Sequence, residues 1–327
     1  MHTSPTGDAP SLVVAIPTFK RPERLAQLLP LVGAQLSELC AEGLVSRGGI
    51  VVVDNDSAGS GQSAVEPSFS GIPTRYAIET TKGIPAVRNR AMDESKDFRL
   101  LSFIDDDELP RAEWLRSLVL TWKEHGRPTA VMGRVVSIFA PDVDPWVTHS
   151  GLFQRPERPT GTEISVAATG NLLLDLDQVR ASGVRFDESI GLAGGSDTHF
   201  SMTLMRTGAR MVWCNESVTE DTVEIDRQTR AWALKRAYSH GNVSAGVHVK
   251  LEPNRVRRAV LRAKGVAGGV ARIVVGILRA AFGLVSRSQR HHARGLRLAY
   301  RGAGMIAGSL GRSYAAYAGA HAAPVSA

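Results

Sequence analysis

The stretch RLLSFIDDDELP, residues 99–110, decides the fold. Its first half is a short apolar run without helical spacing, which predicts a buried β-strand. Three aspartates and a glutamate follow directly after the predicted strand. Because like charges crowded in this way repel one another, a segment with a purely structural role would space them out or pair them. The cluster therefore predicts a functional loop at the carboxyl end of a strand.

Strand-like and helical segments alternate around this stretch. We predict strands at 11–19, 48–54, 74–80, 99–107 and 129–141, and helices at 23–36, 82–95 and 113–125. This βαβα order, with nearly continuous apolar strands, predicts an α/β fold with a mostly parallel, Rossmann-like sheet flanked by helices. The segment 143–164 is rich in proline, glycine and threonine and predicts a long functional loop.

Four loops that leave predicted strand ends carry polar residues. They are PTFKR (17–21), DNDS (54–57), TKGIPAVRNR (81–90) and DDDE (105–108). Ligands of open α/β sheets bind outside the carboxyl ends of the strands, so the four loops predict one polar crevice. For DNDS alone there is a structural alternative, because Asp and Asn also end strands in Asx turns.

The DDDE loop has the donor chemistry of a divalent-cation site. Alternate residues of an extended segment project to the same side, so Asp105 and Asp107 can face one ligand. Carboxylate oxygens are the ligands that Mg²⁺ and Mn²⁺ prefer. A solvated turn or a helix N-cap before EWLRSL is the alternative. A cap needs one carboxylate, so four acidic residues favour the metal.

A second candidate carboxylate lies in GLAGGSDTHF, residues 191–200. Asp197 there precedes a helical pattern and could cap that helix. It could equally act as a general base, which needs a carboxylate within reach of a substrate hydroxyl. The segment alone leaves both roles open.

The net charge of +7 is concentrated at the C-terminal end. Residues 253–327 contain 13 of the 39 basic residues and none of the 32 acidic ones, and their apolar residues recur at helical spacing. This pattern predicts helices lying on an anionic membrane surface through residues 254–310, rather than crossing it. Packing of the apolar stripe on the preceding α/β domain is the alternative. Nucleic acid is not expected as a partner, because no recognition fold or aromatic stacking set accompanies the arginines.

Cysteine content and the N-terminal residues bear on the compartment. Cys40 and Cys214 are far apart in sequence and predict no disulfide framework, which suits a reducing compartment. The first ten residues lack the basic and apolar regions of a signal peptide. We therefore expect a cytoplasmic protein associated peripherally with the inner face of the plasma membrane.

Seven segments in this order resemble the family 2 glycosyltransferases of GT-A fold, and more narrowly the succinoglycan-type exopolysaccharide glucosyltransferases. They are VVAIPTFKRPERL, VVVDND, KGIPAVRNRAM, FIDDDELP, ATGNLLL, FDESIGLAGGSDTHF and ARMVWCNESV. The resemblance spans residues 11–245. It implies a GT-A catalytic domain and an inverting transfer of a sugar from a nucleotide-sugar donor, usually a UDP-sugar, to a hydroxyl of a saccharide acceptor. A lipid-linked acceptor would fit a tail that lies on the membrane.

The resemblance also implies roles for particular residues. Those carried over to the nucleotide-sugar pocket are Pro17, Thr18, Arg21, Asp54, Asp56, Lys82, Gly83, Arg88, Asn89 and Asp105. Asp105 and Asp107 match the family's DXD pair, which binds Mn²⁺ or Mg²⁺, and Glu220 matches a position that can complete that metal site. Asp197 matches the aspartate of the family's Glu-Asp motif and would be the catalytic base.

One departure from the subgroup pattern concerns this base. The pattern Gly-Gly-Glu-Asp-Thr-Asp-Phe appears here with Ser196 in place of the glutamate and His199 in place of the second aspartate. A degenerate member that binds sugar nucleotide or partner enzymes without transfer is therefore one alternative. A nucleotidyltransferase is another, although AIPTFKRP lacks the glycine-rich basic motif expected there. We predict a disordered segment at 1–10, a catalytic domain at 11–245, a basic helical region at 254–315 and a flexible end at 316–327.

Overall fold

The computed structural model describes residues 9–155, 157–191 and 194–314. The strands are β1 Ser11–Thr18, β2 Arg47–Asp54, β3 Ser68–Phe69, β4 Ile72–Ile78, β5 Leu100–Ile104, β6 Glu108–Pro110, β7 Ala130–Ile138, β8 Asn171–Asp175 and β9 Met211–Thr222. The helices are α1 Pro22–Ala41, α2 Ile84–Glu94, α3 Trp114–Glu124, α4 Pro145–His149, α5 Leu176–Ser182, α6 Ser196–Arg206, α7 Arg230–Leu251, α8 Arg255–Val285 and α9 Gln289–Ser309.

The chain divides into two compact units. The first contains residues up to 136, 155–191 and 200–221, and the second contains 137–154, 192–199 and the chain from 222 onwards. The sequence-derived limits 11–245 and 254–315 remain predictions, and the packing groups residues 222–251 with α8 and α9. The predicted disordered and flexible ends fall mostly outside the described residues, which begin at 9 and end at 314.

A nine-stranded sheet with the order β3-β4-β2-β1-β5-β8-β7-β9-β6 forms the centre of the first unit. β4, β2, β1 and β5 are parallel, as predicted. The other half is antiparallel, since β8 runs against both β5 and β7, and β6 runs against β9. The expectation of a mostly parallel sheet thus holds for one half. β8 is as apolar as the parallel strands because it is also buried on both faces, so its apolar character does not reveal its direction.

Alternation along the strands builds a core on each face of the sheet. Val14 and Ile16 point to the face covered by α1 and α3, where Trp114 and Trp122 are fully buried. Val13 and Ala15 point to the opposite face, together with apolar residues of α2 and α5. Burial on both faces explains why these strands are almost wholly apolar.

The second unit is mainly helical, and glycines set its packing. A Cβ at Gly276 of α8 would lie 2.7 Å from the carbonyl oxygen of Gly295 in α9, so the two backbones are in direct contact there. Gly269 and Gly283, one heptad away on either side, also face α9. Gly304 and Gly308 place the other side of α9 against α7. α9 is therefore packed between α7 and α8.

Candidate functional site

Asp106, which has no role in the sequence analysis, links two strand-end loops. Its side chain is buried and accepts hydrogen bonds from Thr18 Oγ1 at 2.8 Å and from Arg21 Nη1 at 2.9 Å. The same Arg21 Nη1 donates to Asp107 Oδ2 at 2.9 Å. Burial raises the pKa of Asp106, and the charge of Arg21 opposes that rise. Asp106 therefore holds the loop after β1 against the loop after β5.

Glu108 lies at the centre of a cluster of carboxylates. It is buried, and its Oε2 accepts a hydrogen bond from Thr219 Oγ1 at 2.6 Å. Pairing of β6 with β9 places Asp221 opposite Glu108. Burial, followed by the charges of Asp105, Asp107 and Asp221, raises the pKa of Glu108 well above its usual value. Three acidic side chains thus act electrostatically on Glu108.

Gly170 lies directly against two of these carboxylates. A Cβ at this position would lie 3.3 Å from Asp105 Oδ2 and would overlap Glu108 Oε1. Mutually repelling carboxylate oxygens are the donor set that a hard divalent cation takes. The described residues contain no group of three or more His, Cys, Asp or Glu side chains already arranged as a metal site. The donor chemistry therefore fits a divalent cation, and binding one would require the carboxylates to adjust.

The geometry favours Asp221 over the predicted Glu220 as a further acidic residue of this cluster. Successive side chains of a strand project to opposite faces, so Glu220 points away from Thr219 and Asp221. Its Oε1 is held by Arg111 at 2.8 Å and 2.7 Å. The segment ESVTED ends in two adjacent acidic residues, Glu220 and Asp221, and strand register decides which of them faces Glu108. Asp221 could therefore not be told apart from Glu220 by the sequence alone.

Asp54 shapes the loop that follows β2. It is fully buried, and its Oδ2 accepts hydrogen bonds from Tyr76 Oη and from the Gly61 amide, both at 2.7 Å. Its Oδ1 accepts from the Asp56 amide at 2.8 Å. Burial and the hydrogen bond to Asp54 raise the pKa of Tyr76. Asp54 is thus enclosed by its own loop, whereas Asp56 is partly exposed and better placed to meet a ligand.

The loop after β4 is held by Asn55. Its Nδ2 donates to the carbonyl oxygens of Glu79 and Thr81 at 2.8 Å, and its Oδ1 accepts from the Gly83 amide at 3.0 Å. Gly83 has φ +119°, and a Cβ there would lie 2.9 Å from the carbonyl oxygen of Gly191. Glycine is therefore required at this position. Lys82 is exposed beside it.

Other predicted pocket residues take part in the fold itself. Asn89 donates to the Phe186 carbonyl at 3.0 Å and to Glu188 Oε1 at 2.7 Å, and accepts from the Phe186 amide at 3.0 Å. Arg88 is buried with its guanidinium 5.6 Å from the Phe186 ring centroid. Pro17 is partly buried near the end of β1. For Asn89 the structure shows a positioning contact between α2 and residues 186–188.

Asp197 belongs to the second unit. It lies within the first turn of α6 and not at the capping position, because the helix begins at Ser196. A negative charge there is favoured by the helix dipole. Ser196, which replaces the motif glutamate, is buried and donates from Oγ to Asp197 Oδ1 at 3.0 Å. The role of Asp197 as a base stays a prediction.

Comparison with known proteins shows the family of this chain. The family model described as "Glycosyl transferase family 2" matches residues 13–178, which is about half of the chain and includes the DDDE loop. The chain belongs to glycosyl transferase family 2. Succinoglycan biosynthesis protein ExoM of Rhizobium meliloti (strain 1021) is 31% identical over 233 residues, covering 70% of this chain and 72% of ExoM.

Solved structures agree with the fold of a family 2 glycosyltransferase. TarS of S. aureus superposes with a TM-score of 0.52 at 14% identity, covering 91% of this chain and 55% of TarS. TarS 1-349 in complex with UDP-GlcNAc superposes with a TM-score of 0.50 at 13% identity, covering 88% of this chain and 90% of that one. The expected α/β fold of GT-A type and the expected glycosyltransferase class are thereby confirmed. Asp197 and Asp221 lie beyond the residues that the family model matches.

Proposed function

We propose that this family 2 glycosyltransferase moves a sugar from a nucleotide-sugar donor, a UDP-sugar, to a hydroxyl of a saccharide acceptor with inversion. The convergence of the loops after β1 and β5 is the observation that carries this proposal. Thr18, Arg21, Asp106 and Asp107 form one hydrogen-bonded network at the carboxyl ends of these parallel strands, which is where open α/β sheets bind nucleotides. The similarity to TarS 1-349, solved with UDP-GlcNAc, supports a donor of this class.

Donor binding divides among the strand-end loops. Asp56 and the turn that Asp54 organises would meet the base, and Pro17 and Thr18 would line the pocket beside it. Arg21 and the exposed Lys82 are the basic side chains available to the diphosphate. Gly83, Arg88 and Asn89 would border this site, and Asn89 would do so by holding residues 186–188 in place.

A divalent cation, Mn²⁺ or Mg²⁺, would be held by Asp105 and Asp107. Asp221 or Glu108 could complete the donor set, because the charges of Asp105 and Asp221 both act on Glu108. Such an ion neutralises negative charge on the departing diphosphate. Arg21, which already contacts Asp107, can supply part of the same charge neutralisation when it reaches the phosphate oxygens.

Asp197 would accept the proton of the attacking acceptor hydroxyl. The oxygen freed in this way forms a bond to the anomeric carbon, while the bond from that carbon to the diphosphate breaks and its electron pair leaves with the phosphate. The hydrogen bond from Ser196 Oγ would orient the carboxylate and would also stabilise its charged form.

Release of nucleotide in the presence of a saccharide acceptor tests this proposal. With UDP-sugars and Mn²⁺, we expect acceptor-dependent release of UDP. Asp197→Asn should lower that rate by about 10²-fold or more, because general-base catalysis contributes on this scale. Donor binding by Asp197→Asn should be retained. Near-normal turnover by this variant would remove Asp197 as the base.

Ser196 favours a second candidate function. A family member without transfer activity would bind the nucleotide sugar and leave it intact, and loss of the motif glutamate is the feature that would produce it. Tight donor binding together with no acceptor-dependent UDP release, for every UDP-sugar and saccharide tried, would establish this alternative.

We also propose that the acceptor is a lipid-linked saccharide and that the enzyme works peripherally at the cytoplasmic face of the plasma membrane, in the synthesis of an exopolysaccharide or a cell-surface glycan. Similarity to the succinoglycan biosynthesis protein ExoM supports the product class. The concentration of 13 basic and no acidic residues in 253–327 supports an anionic surface as a partner.

A further inference from the structure

α8 presents an exposed apolar face within the second unit. Along this helix the exposed large apolar side chains are Val256, Val260, Val270, Val274, Val275, Ile277, Leu278, Phe282, Leu284 and Val285. Leu278 is 65% exposed and Phe282 is 57% exposed, although both are large apolar residues. Contiguous apolar surface of this kind on a soluble chain marks an interaction site.

The exposed face lies opposite the contact between α8 and α9. Val274 and Leu278 are each two residues from Gly276, which places them about 200° around the helix from it. Gly276 is in backbone contact with α9. The helical hairpin is therefore closed on its glycine side and leaves the other side of α8 without a covering element within the described part of this unit.

No charge interrupts this face over most of its length. Between Lys264 and Arg287 the charged residues of the sequence are Arg272 and Arg279. Both lie about 40–60° around the helix from Gly276, so they flank the α9 side and leave the outer face apolar. The result is an amphipathic helix with a wide apolar face and a basic edge, a pattern typical of helices that lie in a membrane interface.

Arginines of α9 gather along the same edge. Burial is the larger cause that lowers the pKa of Arg294 and of Arg297. The charges of Arg290 and Arg279 add to this effect at Arg294. At Arg297 the charges of Arg301, Arg294 and Arg279 add to it. Neither α8 nor α9 contains an acidic residue. Arg294 and Arg297 donate to the carbonyl oxygens of His149 and Gly151. Arg290 and Arg301 are exposed, so this part of the basic edge can meet an anionic ligand outside the hairpin, such as the phosphates of lipid headgroups.

Packing of the hairpin also decides between lying on the membrane and crossing it. Among the described residues, α8 is the one helix that is long and apolar enough to cross a membrane. However, α9 runs alongside it, with Gly295 against Gly276 and Gly302 against Gly269. A crossing would carry Arg294, Arg297 and Arg301 into the hydrocarbon region, which is costly for each charge.

We infer that the outer face of α8 docks in the plane of an anionic phospholipid leaflet, with the arginines of the α8–α9 edge on the headgroup phosphates. This inference narrows the membrane association proposed above to one face of one helix. It also implies that α9, which packs between α7 and α8, does not contact the acyl chains. Lipid contact is expected from Val270, Val274, Ile277, Leu278 and Phe282 and not from α9.

Binding to vesicles tests this surface in the full-length protein. With vesicles of phosphatidylcholine and phosphatidylglycerol, we expect Leu278→Glu combined with Phe282→Glu to lower the partition coefficient about tenfold or more, because two large apolar side chains lose burial in lipid. Ile225→Glu is the matched control, since Ile225 is 80% exposed but does not belong to α8. Arg290→Gln with Arg301→Gln should weaken binding to the anionic vesicles and leave binding to pure phosphatidylcholine unchanged.

Several results would overturn the inference. Unchanged vesicle binding by the Leu278/Phe282 variant would do so, and so would a wild-type dimer that this variant converts to monomer without lipid. Arg257→Cys and Ser286→Cys, at exposed polar positions near the two ends of α8, should both react with a membrane-impermeant maleimide on the bound protein. Protection of either end would contradict the in-plane orientation. Measuring UDP release distinguishes the docking inference from the proposed transferase function. Vesicle binding by a protein that processes no UDP-sugar would support the docking inference and refute the transferase proposal.

Discussion

At the scale of single residues, adjacent side chains of the acidic loop after β5 have different roles. Asp106 turns inward and binds Thr18 and Arg21, whereas Asp105 and Asp107 are partly exposed. Glu108 is buried against Thr219. An acidic run that is uniform in sequence is thus divided into residues that hold the loops together and residues that are available to a cation.

Asp221 and Glu220 provide a test at this scale. Asp221→Asn should raise the Mn²⁺ concentration needed for half-maximal UDP release severalfold, because it removes a carboxylate that acts on Glu108. Glu220→Gln should leave the Mn²⁺ dependence near that of the wild type, because Arg111 holds this side chain on the other face of β9. A metal titration of activity measures both. The reverse order of effects would restore Glu220 as the metal ligand and exclude Asp221.

At the scale of secondary-structure elements, α8 and α9 depend on close backbone contact. A Cβ at Gly276 would lie 2.6 Å from the Ala299 amide nitrogen, so the helices would have to move apart to accept one. Gly246 of α7 differs, because the nearest atom to a Cβ there lies 3.7 Å away. Two helical glycines of the same unit therefore stand in opposite steric situations.

This contrast predicts opposite changes in stability. Gly276→Ala should lower the free energy of unfolding by about 1–3 kcal/mol, since overpacking against backbone cannot be relieved by a side-chain rotation. Gly246→Ala should raise it by up to about 1 kcal/mol, because alanine has the higher helix propensity and meets no close contact. Denaturant unfolding followed by circular dichroism measures both. A stabilised Gly276→Ala protein would contradict the close approach of α8 to α9.

Strand order is a second feature at the scale of secondary-structure elements. Parallel strands could be predicted from apolar runs separated by helical segments, and β1, β2, β4 and β5 confirm that prediction. The antiparallel half could not be predicted in the same way. β8 has the same apolar character as the parallel strands because it is also buried on both faces, and composition does not report strand direction.

At the scale of the whole molecule, ligand binding and stability are linked. A nucleotide that binds the folded protein raises its apparent stability by about 2.7 kcal/mol when present at 100 times its Kd. We expect UDP with Mn²⁺ to raise the Tm, and ADP, GDP and CDP to raise it less. Thermal unfolding with each nucleotide, with and without Mn²⁺, makes the comparison. A larger shift with another nucleoside diphosphate would reassign the donor class.

Charge distribution is a property of the whole chain that sequence reveals directly. Counting residues shows a basic region after 253 and no acidic residue within it. What counting cannot show is which apolar residues of that region face outward. Val266 and Ile273 belong to the same repeat of apolar residues, three and four apart, as Val270 and Leu278. They are only partly exposed while the latter two are exposed, because packing against α9 selects one side of α8.

The sequence by itself determined the family, the α/β class, the order of most elements and the polar loops at the strand ends. These properties depend on local pattern, namely apolar periodicity, turn residues and motif order, and local pattern is written along the chain. Tertiary structure alone decided that Asp54 is enclosed, that Asp106 joins two loops, that Asp221 rather than Glu220 meets Glu108, and that α8 is the outer helix. Each of these depends on which side chain faces which neighbour across distant segments. That is fixed by strand register and helix packing, in which a shift of one residue moves a side chain to the opposite face.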